Sequence, residues 1–234
     1  MAQVKVGVLL SGCGFRDGAE IHESVLTLLA LDRAGAEVRC FAPDIAQPEV
    51  IDHLRGTPAP GERRNVLVEA ARIARGQIAD VRQARAKDLD ALVMPGGFGA
   101  ANNLATVGTK GAAGEVNPEV ARLLREMHAA KKPIGAICIA PLVVAKVLGA
   151  AHPRLTVGDD AGVEGEMRAC GAVPETCAVD GVVVDPENRI VSTPAYMLGP
   201  SIRHVASGIE RCVAEVLALV RGAARAPGVA GGAR

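Results

Sequence analysis

Apolar residues recur along this chain in two rhythms. Short runs rich in Val, Ile and Leu alternate with longer stretches in which apolar positions return every three or four residues. That alternation predicts parallel β-α units rather than hairpins, and so an α/β fold. Residues 4–10 predict the first strand. Residues 18–34 predict a helix whose buried stripe is Ile21, Val25, Leu28 and Leu29, with Gly35 as its stop. A second strand is expected at 38–42. Residues 43–64 are rich in Pro, Gly and charge and read as a surface excursion with one short helix at 48–54.

Further along, residues 65–75 predict a helix, 78–81 a short strand, and 91–94 a strand that runs into Pro95, Gly96 and Gly97. Residues 98–116 are glycine-rich without period and read as a long loop, a feature that often carries function. Asn117 caps a helix with Pro118 in its first turn and Val120, Leu123, Leu124 and Met127 as its buried face. Strand 134–137 meets a helix at 141–148; then come a strand at 155–157 and a short helix at 161–170. Strands 182–184 and 190–193 flank Asp185-Pro186-Glu187-Asn188, a hairpin turn by composition. The last helix, 200–221, carries Ile202, Val205, Ile209, Val213, Val216, Leu217 and Val220 at helical spacing. One domain over residues 1–221 accounts for these units, and the Ala/Gly/Pro-rich residues 222–234 read as a disordered tail.

The chemistry concentrates at Cys138. A strand ending at Ile137 and a helix opened by Pro141 leave no loop between them, so the thiol sits on a sharp strand-to-helix turn of the nucleophile-elbow type. Gly135, Ala136 and Ala140 are small, as such a crowded turn requires. Unpaired amides at the helix N-terminus favour a thiolate there. The competing reading is a core cysteine buried in a parallel strand. In an open parallel sheet, ligands bind at the carboxyl ends of the strands. Three segments leave strands at that edge, namely 11–23, 95–103 and Cys138 itself, and their convergence favours catalysis.

Within the first of these segments, Asp17 is placed as an N-cap with Glu20 three residues on, a capping-box arrangement. Glu23 lies roughly 160° around the helix from the apolar stripe, which leaves it to face the cleft or the solvent. His22 reads as a surface or interface residue. Gly96 and Gly97 let the backbone approach a ligand, and their amides, with that of Ile139, are natural donors to a developing oxyanion, although a plain glycine turn fits equally. Ser11-Gly12-Cys13-Gly14 invites a dinucleotide reading that fails because Asp17 occupies the third glycine position. Cys13 is a structural thiol near the site or an oxidation partner of it.

Composition narrows the partners. The 234 residues hold 26 basic and 26 acidic side chains, which gives no electrostatic reason to expect nucleic acid or an anionic membrane. With one Tyr, three Phe and no Trp, base-stacking platforms are not expected either. The six cysteines form no CxxC and no Cys/His cluster of zinc-ligand spacing, so no metal is expected and a reducing cytoplasmic location is. The first apolar run reads as a strand rather than a signal peptide, and no run approaches the roughly 18 residues of a membrane span.

Taken together these residues resemble the ThiJ/PfpI superfamily and, within it, the ElbB (enhancing lycopene biosynthesis) glyoxalase-like group. The resemblance runs through Ser11-Gly12-Cys13-Gly14, residues 17–23, residues 95–101, Cys138-Ile139-Ala140-Pro141 and residues 193–197. It implies a flavodoxin-like three-layer α/β/α sandwich, usually a homodimer. It also implies Cys138 as nucleophile, Glu23 as its partner carboxylate, and Gly97 and Ile139 as oxyanion amides; Gly96, Cys13 and His22, read from the loops themselves, complete the candidate substrate-binding set. Two departures matter. Protease-like members carry a histidine directly after the nucleophile, where this chain has Ile139; related glutamine amidotransferases carry a late His-x-Glu, where residues 192–196 contain no histidine. Peptidase and glutaminase activities are therefore not expected.

A thiol and a carboxylate without an imidazole suit an α-oxoaldehyde, which is electrophilic enough to be attacked without a strong base. The expected enzyme is a cofactor-independent, glutathione-independent glyoxalase, a lyase that takes glyoxal or methylglyoxal to glycolate or lactate through a Cys138 hemithioacetal, with Glu23 as general acid and base. In the resting pair one proton is shared, with Glu23 protonated and donating to the thiolate. The alternatives are a non-enzymatic redox sensor or small-molecule binding protein using the same thiol, and a protein deglycase.

Overall fold

The computed structural model describes residues 3–222. Its centre is a sheet of seven strands: β1 (Lys5–Leu9), β2 (Glu37–Ala42), β5 (Ile78–Asp80), β6 (Ala91–Met94), β7 (Ile134–Ile137), β10 (Val183–Asp185) and β11 (Ile190–Thr193). Their spatial order is β10-β11-β7-β6-β1-β2-β5. All neighbours are parallel except β10, which pairs antiparallel with β11 through Val183–Ser192 and Asp185–Ile190. Strands covered on both faces must be apolar throughout, which explains why β6 and β7 are buried at every position.

Among the described residues, eight α-helices surround the sheet. On one face α1 (Ile21–Arg33) packs against α8 (Ile202–Val220), with α2 (Val66–Ile73) beside α1; on the other lie α5 (Pro118–Ala129) and α6 (Ala140–Leu148). A Cβ at Gly135 would stand 3.1 Å from Val216 on α8, so glycine there lets α8 close on β7. The result is the expected three-layer α/β/α sandwich. From β1 the chain moves outward to β2 and β5, and from β6 it moves the opposite way to β7. That reversal makes the crevice beyond β1, β6 and β7 the natural site.

Several expectations are corrected. Helix α1 starts at Ile21, and its N-cap is Glu20, whose side chain accepts from the Glu23 N–H at 2.7 Å. Asp17 caps nothing; it is buried and accepts from the Ile51 N–H at 2.8 Å, tying the first loop to a distant hairpin. Most of the expected apolar stripe of α1 faces outward: Ile21, Val25 and Leu29 are exposed and Leu28 is half-buried against the core, while Glu23, Ser24 and Thr27 face inward with Ala30 and Leu31. Periodicity identifies the stripe but not what covers it. The helix expected at 48–54 is a hairpin, β3 (Ile51–Asp52) with β4 (Thr57–Pro58), turned at Gly56 with φ +70°. The long loop at 98–116 contains α3 (Phe98–Asn102), α4 (Val107–Lys110) and a 3-10 turn, elements too short to show a period. The strand expected at 155–157 is β8 (Arg154–Leu155), which pairs with an unforeseen β9 (Val173–Pro174) in a separate two-stranded sheet. Beyond Gly222, the tail expected at 222–234 lies outside the described residues.

Other elements match closely. Helix α5 spans Pro118–Ala129; the Asn117 side chain accepts from the Glu119 and Val120 N–H groups at 3.0 and 3.4 Å, and Val120, Leu123, Leu124 and Met127 are fully buried. Helix α7 spans Ala161–Ala169. No described helix is long and apolar enough to cross a membrane. Asn117→Ala leaves two helix-end amides without their side-chain acceptor and is expected to cost about 1 kcal/mol, read as a lowered urea midpoint at unchanged m-value.

Candidate active site

Cys138 follows β7 directly and takes φ +63°, the left-handed region that a β-carbon disfavours. Its N–H donates to the Thr193 carbonyl at 2.9 Å, so the end of β11 holds the turn in place. The strain is stored where the chain would otherwise have continued straight into α6. Gly96 makes the turn possible from the other side. A Cβ at Gly96 would collide with the Cys138 Cβ and stand 2.8 Å from Glu23 Oε2, so glycine is the residue that allows thiol and carboxyl to meet. Gly97, at φ +91°, is pressed against the Gly18 and Glu20 backbone and fixes the first loop on the second.

Glu23 reaches this point from the first turn of α1 and is fully buried. The Gly96 N–H donates to Oε2 at 2.9 Å, the Tyr196 N–H donates to Oε1 at 3.2 Å, and the carboxyl is hydrogen-bonded to the Cys138 thiol. Ala195, at φ +44°, turns the Tyr196 amide toward it. Burial pushes the Glu23 carboxyl up to about 7, with Glu20 adding to the rise and the Tyr196, Cys138 and Gly96 hydrogen bonds opposing it. Cys138 is raised well above the usual thiol range, first by burial and then by the Glu23 charge; the Gly97 and Ile139 amides pull the other way. The expectation that the helix N-terminus yields a thiolate is thus corrected. A helix end supplies about 1 kcal/mol, whereas removing an ion from water costs several. The carboxyl loses its proton near neutrality and the thiol does so only later, so the remaining proton sits on Sγ and is donated to the carboxylate, the reverse of the expected protonated Glu23 beside a thiolate.

Above the pair opens a cavity of about 610 Å³. Cys138, Gly97, Ile139 and His22 line it, so the structure brings these to one place, with Glu23 and Gly96 immediately beneath. The Gly97 and Ile139 amides are free to serve an oxyanion once Sγ has reacted. The Gly96 amide is committed to Glu23. His22 Nδ1 lies 2.7 Å from the Tyr196 hydroxyl at the exposed end of the cavity. Cys13 stands apart, among Glu69, Arg72, Asp17 and Arg64, and does not line the cavity. Sequence patterns left Phe15, Phe98, Asp160, Val163 and Met197 unassigned, and all five line it. Asp160 carried a signal, since it caps α7 by accepting from the Val163 N–H at 3.0 Å. No group of three or more His, Cys, Asp or Glu able to hold a metal occurs among the described residues.

The sequence profile of the DJ-1/PfpI family matches residues 13–187. A rat protein named ES1 protein homolog, mitochondrial, is 46% identical over 93% of this chain and 84% of its own length. A human protein named glutamine amidotransferase-like class 1 domain-containing protein 3, mitochondrial, is 46% identical over 92% of this chain and 83% of its own. Among solved structures, an isoprenoid biosynthesis protein with amidotransferase-like domain from Ehrlichia chaffeensis superposes with a TM-score of 0.85 at 39% identity, covering 92% of this chain and 99% of that one. These names overturn the cytoplasmic expectation: the rat and human relatives are called mitochondrial, as is an ES1 protein from Danio rerio at 33% identity over 82% of this chain and 76% of its own. Free cysteines distinguish a reducing compartment from an oxidising one but not one reducing compartment from another.

The raised Glu23 carboxyl has a consequence for stability. Its folded value of about 7 exceeds the ordinary 4.5, so its contribution is fully present below about pH 4.5 and is lost as pH rises through 7, a swing of about 3 kcal/mol. Glu23→Gln removes that swing. Urea denaturation from pH 5 to 8 is expected to show the variant gaining on the wild type as pH rises; a constant difference would mean that Glu23 does not titrate in this window.

Proposed function

This chain belongs to the DJ-1/PfpI family, and within it we propose a cofactor-independent glyoxalase of the ElbB type that converts glyoxal or methylglyoxal to glycolate or lactate. The family's members include glyoxalases, deglycases and redox sensors. The observation that carries the choice is the fully buried Glu23 carboxyl, held near neutrality and hydrogen-bonded to the Cys138 thiol. A group poised near pH 7 can both give and take a proton. A buried thiol raised well above its usual range resists spontaneous oxidation, which weighs against a sensor.

In the proposed reaction Sγ adds to the aldehyde carbon while the thiol proton passes to Glu23. The new oxyanion is met by the Gly97 and Ile139 amides and takes the proton from Glu23, giving a neutral hemithioacetal. The Glu23 carboxylate then removes the hydrogen on the sulfur-bearing carbon, and the electron pair moves to form an enediol as the neighbouring carbonyl oxygen gains a proton. Return of a proton to that neighbouring carbon, with loss of one from the enediol oxygen, leaves a Cys138 thioester. Water cleaves the C–S bond, releasing the 2-hydroxy acid and restoring the thiol. The net change is addition of one water to the dicarbonyl, with no external oxidant or reductant.

DJ-1/PfpI proteins are commonly oligomeric, and we infer a homodimer for this chain through the exposed Ile21, Val25 and Leu29 stripe of α1. Light scattering during gel filtration is expected to show a dimer that Val25→Asp converts to monomer; an unchanged mass for the variant would remove α1 from the interface. For the reaction, NMR of glyoxal and methylglyoxal with dialysed protein is expected to show many product molecules per chain. Cys138→Ala should abolish turnover and Glu23→Gln should lower kcat/KM by about a hundredfold or more. Stoichiometric adduct without product, or full turnover by Cys138→Ala, would overturn the assignment.

A further inference from the structure

The cavity over Cys138 is much larger than glyoxal or methylglyoxal requires. At about 610 Å³ it falls in the range of sites that enclose drug-sized ligands. Its walls are apolar at Phe15, Phe98, Val163 and Met197, and the two phenyl rings are themselves about half exposed, at 43% and 53%. Exposed aromatic rings flanking a reactive thiol mark a surface that gains by being covered.

The lining holds two carboxylates, and its basic side chain among the described residues is His22, which is bonded to the Tyr196 hydroxyl. Glu20 and Asp160 are the carboxylates, and no Lys or Arg is among the described residues that line the cavity. Each carboxylate uses one oxygen on a helix N-terminal amide, Glu20 on α1 and Asp160 on α7. Glu23 adds a third negative charge below them when ionised. The Arg16 guanidinium lies 5.1 Å from the Phe15 ring but is not part of the lining. A carbonyl compound bearing a carboxylate or phosphate would meet two carboxylates and no guanidinium or ammonium group in the lining, whereas an aryl or branched alkyl group would meet the two phenyl rings.

We propose that the carbonyl compounds preferred at Cys138 over glyoxal and methylglyoxal carry a bulky, uncharged apolar substituent, and that Glu20 and Asp160 exclude anionic ones. Phe15 and Phe98 receive the apolar group, and the dicarbonyl end reaches Sγ. The proposal rests on Cys138 as the attacking atom, and it names the substrate class for the glyoxalase reading. Each methylene buried in such a site favours binding roughly fourfold, so an aryl group outweighs a methyl by well over tenfold.

Two measurements test it, the first of them separately from turnover. Alkylation of Cys138 by iodoacetamide, iodoacetate and N-benzyl iodoacetamide is followed by peptide mass spectrometry, with each rate divided by that of free N-acetylcysteine. Iodoacetate is expected to lag iodoacetamide by about tenfold, and the benzyl reagent to lead it. Glu20→Gln with Asp160→Asn should narrow the first gap, and Phe98→Ala the second. Normalised rates that are equal across the three reagents would overturn the proposal. In parallel, kcat/KM for phenylglyoxal should exceed that for methylglyoxal by about tenfold or more. Retained alkylation selectivity with no turnover of any aldehyde would support the cavity assignment and sink the glyoxalase reading; turnover of methylglyoxal without alkylation selectivity would do the reverse.

Discussion

Two ionisable groups that share a buried hydrogen bond set the terms for the rest of this molecule. Glu23 comes from near the start of the chain and Cys138 from just past its middle, and water is excluded from the carboxyl altogether. Neither group would remain ionised alone in such a place. What makes the pair tolerable is a surrounding set of amides: Gly96 and Tyr196 on the carboxyl, Gly97 and Ile139 on the sulfur. The contact also depends on one absent atom, since any β-carbon at Gly96 would wedge thiol and carboxyl apart.

The sheet supplies those amides from the places where chain direction changes. Gly96 and Gly97 leave β6, Ile139 follows β7, and Tyr196 follows β11 after the strained Ala195. Three adjacent parallel strands thus each contribute a backbone donor, because their carboxyl ends all open on the same crevice. The positive φ at Cys138 and Ala195 is held by the neighbouring structure, as in the Cys138 N–H bond to Thr193. Local conformational cost is offset by the surrounding packing, and the outcome is a thiol at the floor of an apolar cavity.

That placement separates this site from hydrolase sites built on a similar elbow. Where an imidazole would follow the nucleophile stands Ile139, and the cavity's histidine, His22, bonds the Tyr196 hydroxyl. In the proposed reaction, proton transfer falls to a carboxyl tuned by burial. Such a site suits a carbonyl that needs little activation, in surroundings that favour apolar company and disfavour anions.

Much of the fold was legible because it depends on short-range physics. Alternating runs gave the parallel strands, Asn117-Pro118 marked the start of α5, and the abrupt passage from Ile137 to Pro141 marked the elbow at Cys138. Glu23 was visible only as a residue opposite the apolar stripe, where spacing could not tell cleft from solvent. The stripe itself misled in part, since Ile21, Val25 and Leu29 face outward, Leu28 packs against the core, and Glu23, Ser24 and Thr27 face in beside Ala30 and Leu31. Likewise the capping role fell to Glu20 because Asp17 found a partner in Ile51, 34 residues away. The cavity walls at Phe15, Phe98, Asp160, Val163 and Met197 come from four separate segments and share no spacing. The sequence by itself determined the layered α/β order and the position of the elbow cysteine, which follow from hydrophobic period and backbone sterics. Only the tertiary structure decided which face of α1 is buried, how far burial raises the carboxyl and thiol, and what surrounds them, because desolvation and contact depend on segments distant in the chain.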